Sequence, residues 1–250
     1  MTLRVGNRAF APRWWAIPLT AAVIAACSSL GTWQLGRARE KQALIDAFDR
    51  GQQTSVELGS RNVDALPRYQ HVTVRGHFDP SRQVLLDNMP SSAGLAGYRV
   101  LTPFVRPGSA KLLLVDRGWL PLGLSREKLP DVPVTDEPRE TGGRLDQLPV
   151  PGVRIGAADV PGDRHWPRVL FFPRVADLEQ ALGAPVESRI VLLDADRPDG
   201  YERVWRPALE FPPERHLGYA VQWFALAVVA FVIFVSLSLQ RISPLDTPRP

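Results

Sequence analysis

The chain has 250 residues, of which 45% are hydrophobic and 22% charged, enough for one sizeable domain or two small ones. Its net charge of +4 arises at the two ends: Arg4, Arg8 and Arg13 lie in the first tail, Arg241 and Arg249 against Asp246 in the last, and the middle is neutral. The basic pI is therefore no sign of nucleic-acid binding. The single cysteine, Cys27, excludes an internal disulfide, a two-cysteine metal site and a Cys-x-x-Cys-His haem attachment, and argues against a copper chaperone built on paired thiolates.

In chain order, residues 1–13 form a short basic tail. Residues 14–35 carry no charge and reach the roughly 20 apolar residues that a spanning helix needs. Within them Ile24-Ala25-Ala26-Cys27 resembles a lipoprotein cleavage site behind a basic, apolar leader. The apolar run continues to Leu35, which favours the plainer reading of a small residue inside a spanning helix. From Gly36 to Phe48, strong helix formers with apolar pairs at Ala43/Leu44 and Ala47/Phe48 predict an extension that ends near Gly51.

From Tyr69 the period changes to two. Val72, Val74 and Phe78 face one way, and His71, Thr73, Arg75 and His77 the other. Further strands are expected at Gln83–Asp87, Tyr98–Val105, Lys111–Leu120, Gly143–Leu148, Arg189–Leu193 and Tyr201–Trp205. Pro130–Pro138 and Pro149–Pro161 read as loops. One helix is expected near Arg174–Leu182, with Gly183 as its stop. A second charge-free window, Leu217–Leu239, precedes the tail 240–250.

The predicted fold is thus a membrane protein. Two transmembrane helices, at 14–35 and 216–239, flank an extramembrane, mainly antiparallel β domain at 36–215, a barrel or curled sheet with minor helix. Short basic tails stay on the cytoplasmic side, which places both termini in the cytoplasm and 36–215 outside. Arg37, Arg39 and Lys41 pull the other way.

An enzyme needs a nucleophile, an acid/base pair or a metal set. No Gly-x-Ser-x-Gly elbow, phosphate loop or His-Glu-x-x-His occurs. His71 and His77 share a strand face about 20 Å apart and cannot chelate one ion; they read as solvated. His165 lies in a loop before Trp166-Pro167. Asp116-Arg117 reads as an ion pair at a strand end, and Asp194 and Asp196 as turn residues. These readings point away from an enzyme. His216 differs by its place at the head of the second apolar window. At 100° per residue, Tyr219, Ala220, Trp223 and Ala227 fall within about 60° of it. An ionisable residue at a spanning segment raises a functional hypothesis, while His, Tyr and Trp are also at home in the interfacial belt.

Five segments in order resemble one family, the Surfeit locus protein 1 (Shy-type) cytochrome oxidase assembly factors. They are Leu30-Gly-Thr-Trp-Gln-Leu-Gly-Arg37, Tyr69 through Val74-Arg-Gly-His-Phe-Asp79, Gly97-Tyr-Arg-Val-Leu-Thr-Pro-Phe104, Leu114-Val-Asp-Arg-Gly-Trp-Leu-Pro121 and Glu214-Arg-His-Leu-Gly-Tyr-Ala-Val-Gln-Trp-Phe224. Asp116 departs from the Asn expected there in many relatives. The resemblance implies a bacterial inner-membrane protein with its domain on the periplasmic side. It would help to assemble a haem-copper terminal oxidase by binding haem a and aiding its insertion into the catalytic subunit. His216 matches the histidine assigned to haem iron in bacterial members, with Tyr219 and Trp223 placed to flank the porphyrin. Arg37, Arg39 or Arg215 are candidates to pair with propionates. The implied partners are the oxidase catalytic subunit, haem a synthase and membrane lipid. The alternative role is a membrane scaffold for assembly intermediates that binds no haem.

Overall fold

The structure, a computed structural model, describes residues 4–5, 8–123, 128–149, 165–207, 209 and 211–241. The loop expected at Pro149–Pro161 and most of the last tail lie outside the described residues. Two compact units form, one from Met1–Ile45 with Ala208–Pro250 and one from Asp46–Pro207.

In the first unit, β1 (Arg4–Val5), β2 (Arg8–Phe10) and β11 (Leu239–Arg241) make a small antiparallel sheet. Between β2 and β11 in the chain come the two long helices, α1 (Ala16–Gly51) and α3 (Pro213–Ser238). Both are long and apolar enough to cross a membrane. α1 is one continuous helix, so the expected extension of 14–35 to Gly51 is observed. α3 starts three residues before the expected 216, because Pro213 is pre-set for the first helical position and offers no N–H that would need a partner. It ends at Ser238, and Leu239 already belongs to β11.

The helices meet along narrow stripes. On α1 Cys27, Gly31 and Ala38 are buried; on α3 Pro213, His216, Ala220 and Ala227 are. The opposite face of α3 leaves Leu217, Val221, Val228 and Val232 exposed. A contiguous apolar face of this kind is costly in water and suits hydrocarbon. Cys27 sits in the middle of the helix stripe, as the plainer reading expects.

The second unit is a β domain. It contains β3 (Ser55–Glu57), β4 (His71–Phe78), β5 (Val84–Pro90), β6 (Ala96–Val105), β7 (Leu112–Pro121), β8 (Arg139–Asp146), β9 (Arg168–Leu170), α2 (Val175–Leu182) and β10 (Val186–Leu193). The order β4-β8-β10-β7-β6 closes on itself, because β6 also pairs with β4 through His77↔Val105 and Phe78↔Phe104. The result is a five-stranded barrel. β6 divides one edge between two partners: Ala96–Leu101 pairs with β5, and Phe104 and Val105 with β4. Most ladders are antiparallel; β10/β7, β3/β4 and β5/β9 are parallel.

Period-two alternation sorts the core. Val72, Val74, Phe78, Leu113, Val115, Val191 and Leu193 pack together in one cluster. Their neighbours Leu112, Leu114, Ile190 and Leu192 pack in another with Leu178 and Leu182 of α2. α2 stops where expected, at Gly183 with φ 66°. Strands β3 and β9 are three residues each, too short for a periodic signal. The strand expected at Tyr201–Trp205 reduces to one bridge, Trp119↔Glu202.

Two side-chain readings change. Asp116 and Arg117 point to opposite faces, as strand neighbours must, and do not pair. Asp116, fully buried, meets the Arg99 guanidinium and accepts from Gly118 N–H at 3.0 Å. Burial pushes its carboxyl up, more than Arg99 draws it down. Arg117 instead donates to backbone carbonyls, Asp199 at 2.7 Å, Val132 at 3.2 Å and Pro133 at 2.6 Å, and to Gln83 Oε1 at 2.9 Å. Desolvation lowers its pKa. Arg117 thereby ties the Pro-rich loop 130–138 and the turn at 199 to the barrel wall. His71 is likewise not merely solvated: Ser55 Oγ lies 2.8 Å from its Nδ1 and Asp194 Oδ2 2.7 Å from its Nε2. The imidazole links β3 and β4 to the turn after β10.

Candidate functional site

The four histidines separate sharply by environment. His71 is engaged at both ring nitrogens within the β domain, and His77 lies on β4 where it closes the barrel. Among the described residues no group of three or more His, Cys, Asp or Glu side chains is placed to hold a metal ion. His216 lies apart from both His71 and His77, near the start of α3.

His216 is the fourth residue of α3 and is 9% exposed. Its neighbours on the buried stripe, Ala220 and Ala227, are small, so α3 lies close to α1. Gly31 of α1 takes the Phe224 ring against its Cα, and there is no room for a Cβ. This close approach brings Gln34, one turn after Gly31, against His216: Nδ1 lies 2.7 Å from Gln34 Oε1. The edge of the Phe211 ring packs on the imidazole, with centroids 6.3 Å apart and planes at 83°. The other ring nitrogen, Nε2, is buried and has no hydrogen-bond partner among the described residues.

The placement follows from the two apolar windows. Gln34 is the next-to-last residue of 14–35, and His216 immediately precedes 217–239. The helices run antiparallel, so these two polar groups fall at the same boundary. A lone imidazole nitrogen buried without a partner costs about 1–3 kcal/mol. Six other buried side-chain nitrogen or oxygen atoms among the described residues also lack a hydrogen-bond partner, five of them arginine Nε and one Asp116 Oδ2, and His216 Nε2 is the imidazole nitrogen of the set.

Tyr219 and Trp223, expected beside His216, divide. Trp223 is half-buried two turns beyond His216 along α3, whereas Tyr219 is 45% exposed. The basic residues near this boundary also have partners: Arg37 reaches Glu40 at 2.7 Å, and Arg215 stacks over Phe211 at 4.8 Å. Both contacts lie at the surface. Gln34 was missed by sequence reasoning. A polar residue inside an otherwise apolar window was the available signal, but its partner lies 182 residues away.

The SURF1 family model matches residues 21–228, from within α1 to within α3, and so spans both Gln34 and His216. A SURF1-like protein of Rickettsia felis is 26% identical over 212 residues, covering 83% of this chain and 89% of its own length. Surfeit locus protein 1 of Xenopus tropicalis is 25% identical over 239 residues, covering 86% of this chain and 73% of its own. A SURF1-like protein of Caenorhabditis elegans reaches 32% identity over a shorter stretch of 119 residues. With a family match over residues 21–228, most of its length, the chain belongs to the SURF1 family.

Proposed function

We propose that the protein is an assembly factor for a haem-copper terminal oxidase and that it holds haem a through His216 Nε2 before the haem enters the oxidase catalytic subunit. The observation that carries this reading is the state of the imidazole: one nitrogen engaged by Gln34, the other buried and unpartnered. That donor set fits haem. When bound, the iron accepts the imidazole lone pair. His216 would supply a nitrogen to that iron, and the half-buried Trp223 would offer ring surface on the same side of α3, with the exposed Tyr219 at its edge. Arg37, Arg39 and Arg215 are the cations near the boundary for propionates. The role is that of a carrier rather than an enzyme.

The basic tails support an orientation with both termini in the cytoplasm and the β domain in the periplasm of a bacterial inner membrane. The oxidase catalytic subunit and haem a synthase are the proposed protein partners. Membrane lipid is the third. A groove of about 520 Å³ between the far ends of α1 and α3, lined by Arg13, Trp15, Leu19, Ile233, Phe234 and Leu237, offers an apolar cleft to an acyl chain.

The test is the visible spectrum of detergent-purified protein from a host that makes haem a. Wild type should carry haem a, and His216→Ala should insert normally yet lose most of it. Equal haem in both removes His216 as the ligand. Wild type without haem favours a scaffold that stabilises assembly intermediates.

A further inference from the structure

We infer that Gln34 is the positioning residue for His216: its side-chain carbonyl holds the imidazole as the Nδ1–H tautomer and so leaves the Nε2 lone pair as the ligand atom. The inference rests on the haem reading above for the ligand, but its geometric half stands on the protein structure alone.

Three observations converge. Gln34 Oε1 is an acceptor with no proton to give, and it lies 2.7 Å from Nδ1. A neutral imidazole has one N–H and one lone pair, so a proton on Nδ1 leaves Nε2 bare. The reverse arrangement is worse. It would put an N–H on Nε2, where the buried atom finds no acceptor among the described residues, so a buried donor would lose its hydrogen bond to water without replacement. It would also set two acceptors, Oε1 and the Nδ1 lone pair, against each other.

The position of Gln34 is itself constrained. Gly31, one turn earlier on α1, lets Phe224 of α3 approach so closely that a Cβ would lie 2.8 Å from the ring. The carbonyl of Gln34 is therefore delivered by helix packing rather than by a flexible loop. Ligating histidines nearly always donate their second ring N–H to a fixed acceptor, which sets the ring orientation and the ligand's basicity. Where that acceptor is a carboxylate, the imidazole becomes more electron-rich. An amide carbonyl orients the ring without adding a charge at the membrane boundary, where a charge is expensive. It also leaves the nitrogen a weaker donor to iron, which suits a haem that must be passed on.

The test uses the full chain in detergent micelles, as wild type, Gln34→Leu and His216→Ala. Leucine keeps about the same bulk without the acceptor. In apo protein labelled with 15N-histidine, the His216 resonances, assigned by their absence in His216→Ala, should show a protonated Nδ1 and a bare Nε2 in wild type. Gln34→Leu should move the signal toward the Nε2–H form at an unchanged melting temperature. In haem titrations, Gln34→Leu should hold haem a about 10- to 100-fold less tightly, with a shifted midpoint potential in the fraction that binds. Wild-type resonances with Nε2 protonated, or a Gln34→Leu spectrum and haem affinity matching wild type, overturn the assignment of Gln34 while leaving His216 as ligand. Wild type with the expected tautomer but no haem affinity overturns the ligand half, and the proposed function with it.

Discussion

Gly31 of one membrane helix packs tightly against Phe224 of the other: a Cβ built on Gly31 would lie 2.8 Å from Phe224 Cζ and 2.9 Å from Cε1. The contact sits between the buried Cys27 below and the Gln34–His216 hydrogen bond above on α1, so it sets the spacing on which that bond depends. Gly31→Val should push the helices apart and cost about 1–3 kcal/mol as overpacking. The thermal midpoint of the detergent-solubilised chain should fall, and the His216 Nδ1 proton should exchange faster. A Gly31→Val protein with unaltered melting and an intact His216 signal would show that the packing is slack.

Gly76 occupies the seam where the barrel closes. It pairs with Arg139 of β8, and the next residue, His77, pairs with Val105 of β6. A side chain here would meet Val105 O at 2.0 Å and Phe104 Cε1 at 2.7 Å. Its φ is 158°, close to extended backbone, so space rather than backbone strain decides. Gly76→Glu should therefore cost more than the roughly 1 kcal/mol of a glycine-to-alanine change in an ordinary strand. Denaturant unfolding followed by tryptophan fluorescence measures it. An unchanged midpoint would mean that β6 and β4 do not close the barrel in solution.

Arg106 and Glu187 form an ion pair with both side chains almost fully buried. Desolvation lowers the Arg106 pKa, more than the Glu187 carboxylate raises it. Glu187→Ala leaves that cation without its counterion and should destabilise the chain by about 3–5 kcal/mol. Replacing both, as Arg106→Met with Glu187→Leu, should recover most of the loss. A double variant no better than the single one would mean that Arg106 is held by its bond to the Gly59 carbonyl rather than by Glu187.

Asp116 predicts a pH dependence with a definite sign. Burial raises its folded pKa above the ordinary 3.8, against the pull of Arg99 and the Gly118 N–H. A raised pKa contributes stability that is fully present below the unfolded value and lost as pH rises through the folded one. Asp116→Asn deletes this dependence and keeps the acceptor for Gly118. The melting temperature of Asp116→Asn relative to wild type should therefore climb as pH rises above the ordinary carboxylate value of 3.8. A difference that falls as pH rises would show the carboxylate to be favoured by the fold.

Orientation is checked with a reporter active only in the periplasm. Gly94, in the exposed turn between β5 and β6, has open space around it and tolerates an insertion better than Pro133, whose carbonyl accepts from Arg117 at 2.6 Å. Insertion after Gly94 should give an active reporter, and fusion after Pro250 an inactive one. The opposite pattern places the β domain in the cytoplasm.

The sequence by itself determined whatever depends on local periodicity and on charge. Two charge-free windows of bilayer length marked both helices, and alternation at Val72, Val74 and Phe78 marked β4. Gly183 marked the end of α2, and the place of His216 at a membrane boundary marked the candidate site. Each of these signals is written within a few residues of the element it specifies. The tertiary structure alone decided the rest, because it depends on partners far apart in the chain. Barrel closure joins β4 to β6 only at Phe78↔Phe104 and His77↔Val105, and no local pattern announces a pairing that brief. Asp116 chose Arg99 over adjacent Arg117 because neighbouring strand side chains point to opposite faces. Gln34 met His216 across 182 residues because two helices had to cross the same layer in opposite directions with Gly31 against Phe224. Periodicity tells each helix which side to bury, but only their packing settles which polar groups share that side at the same depth.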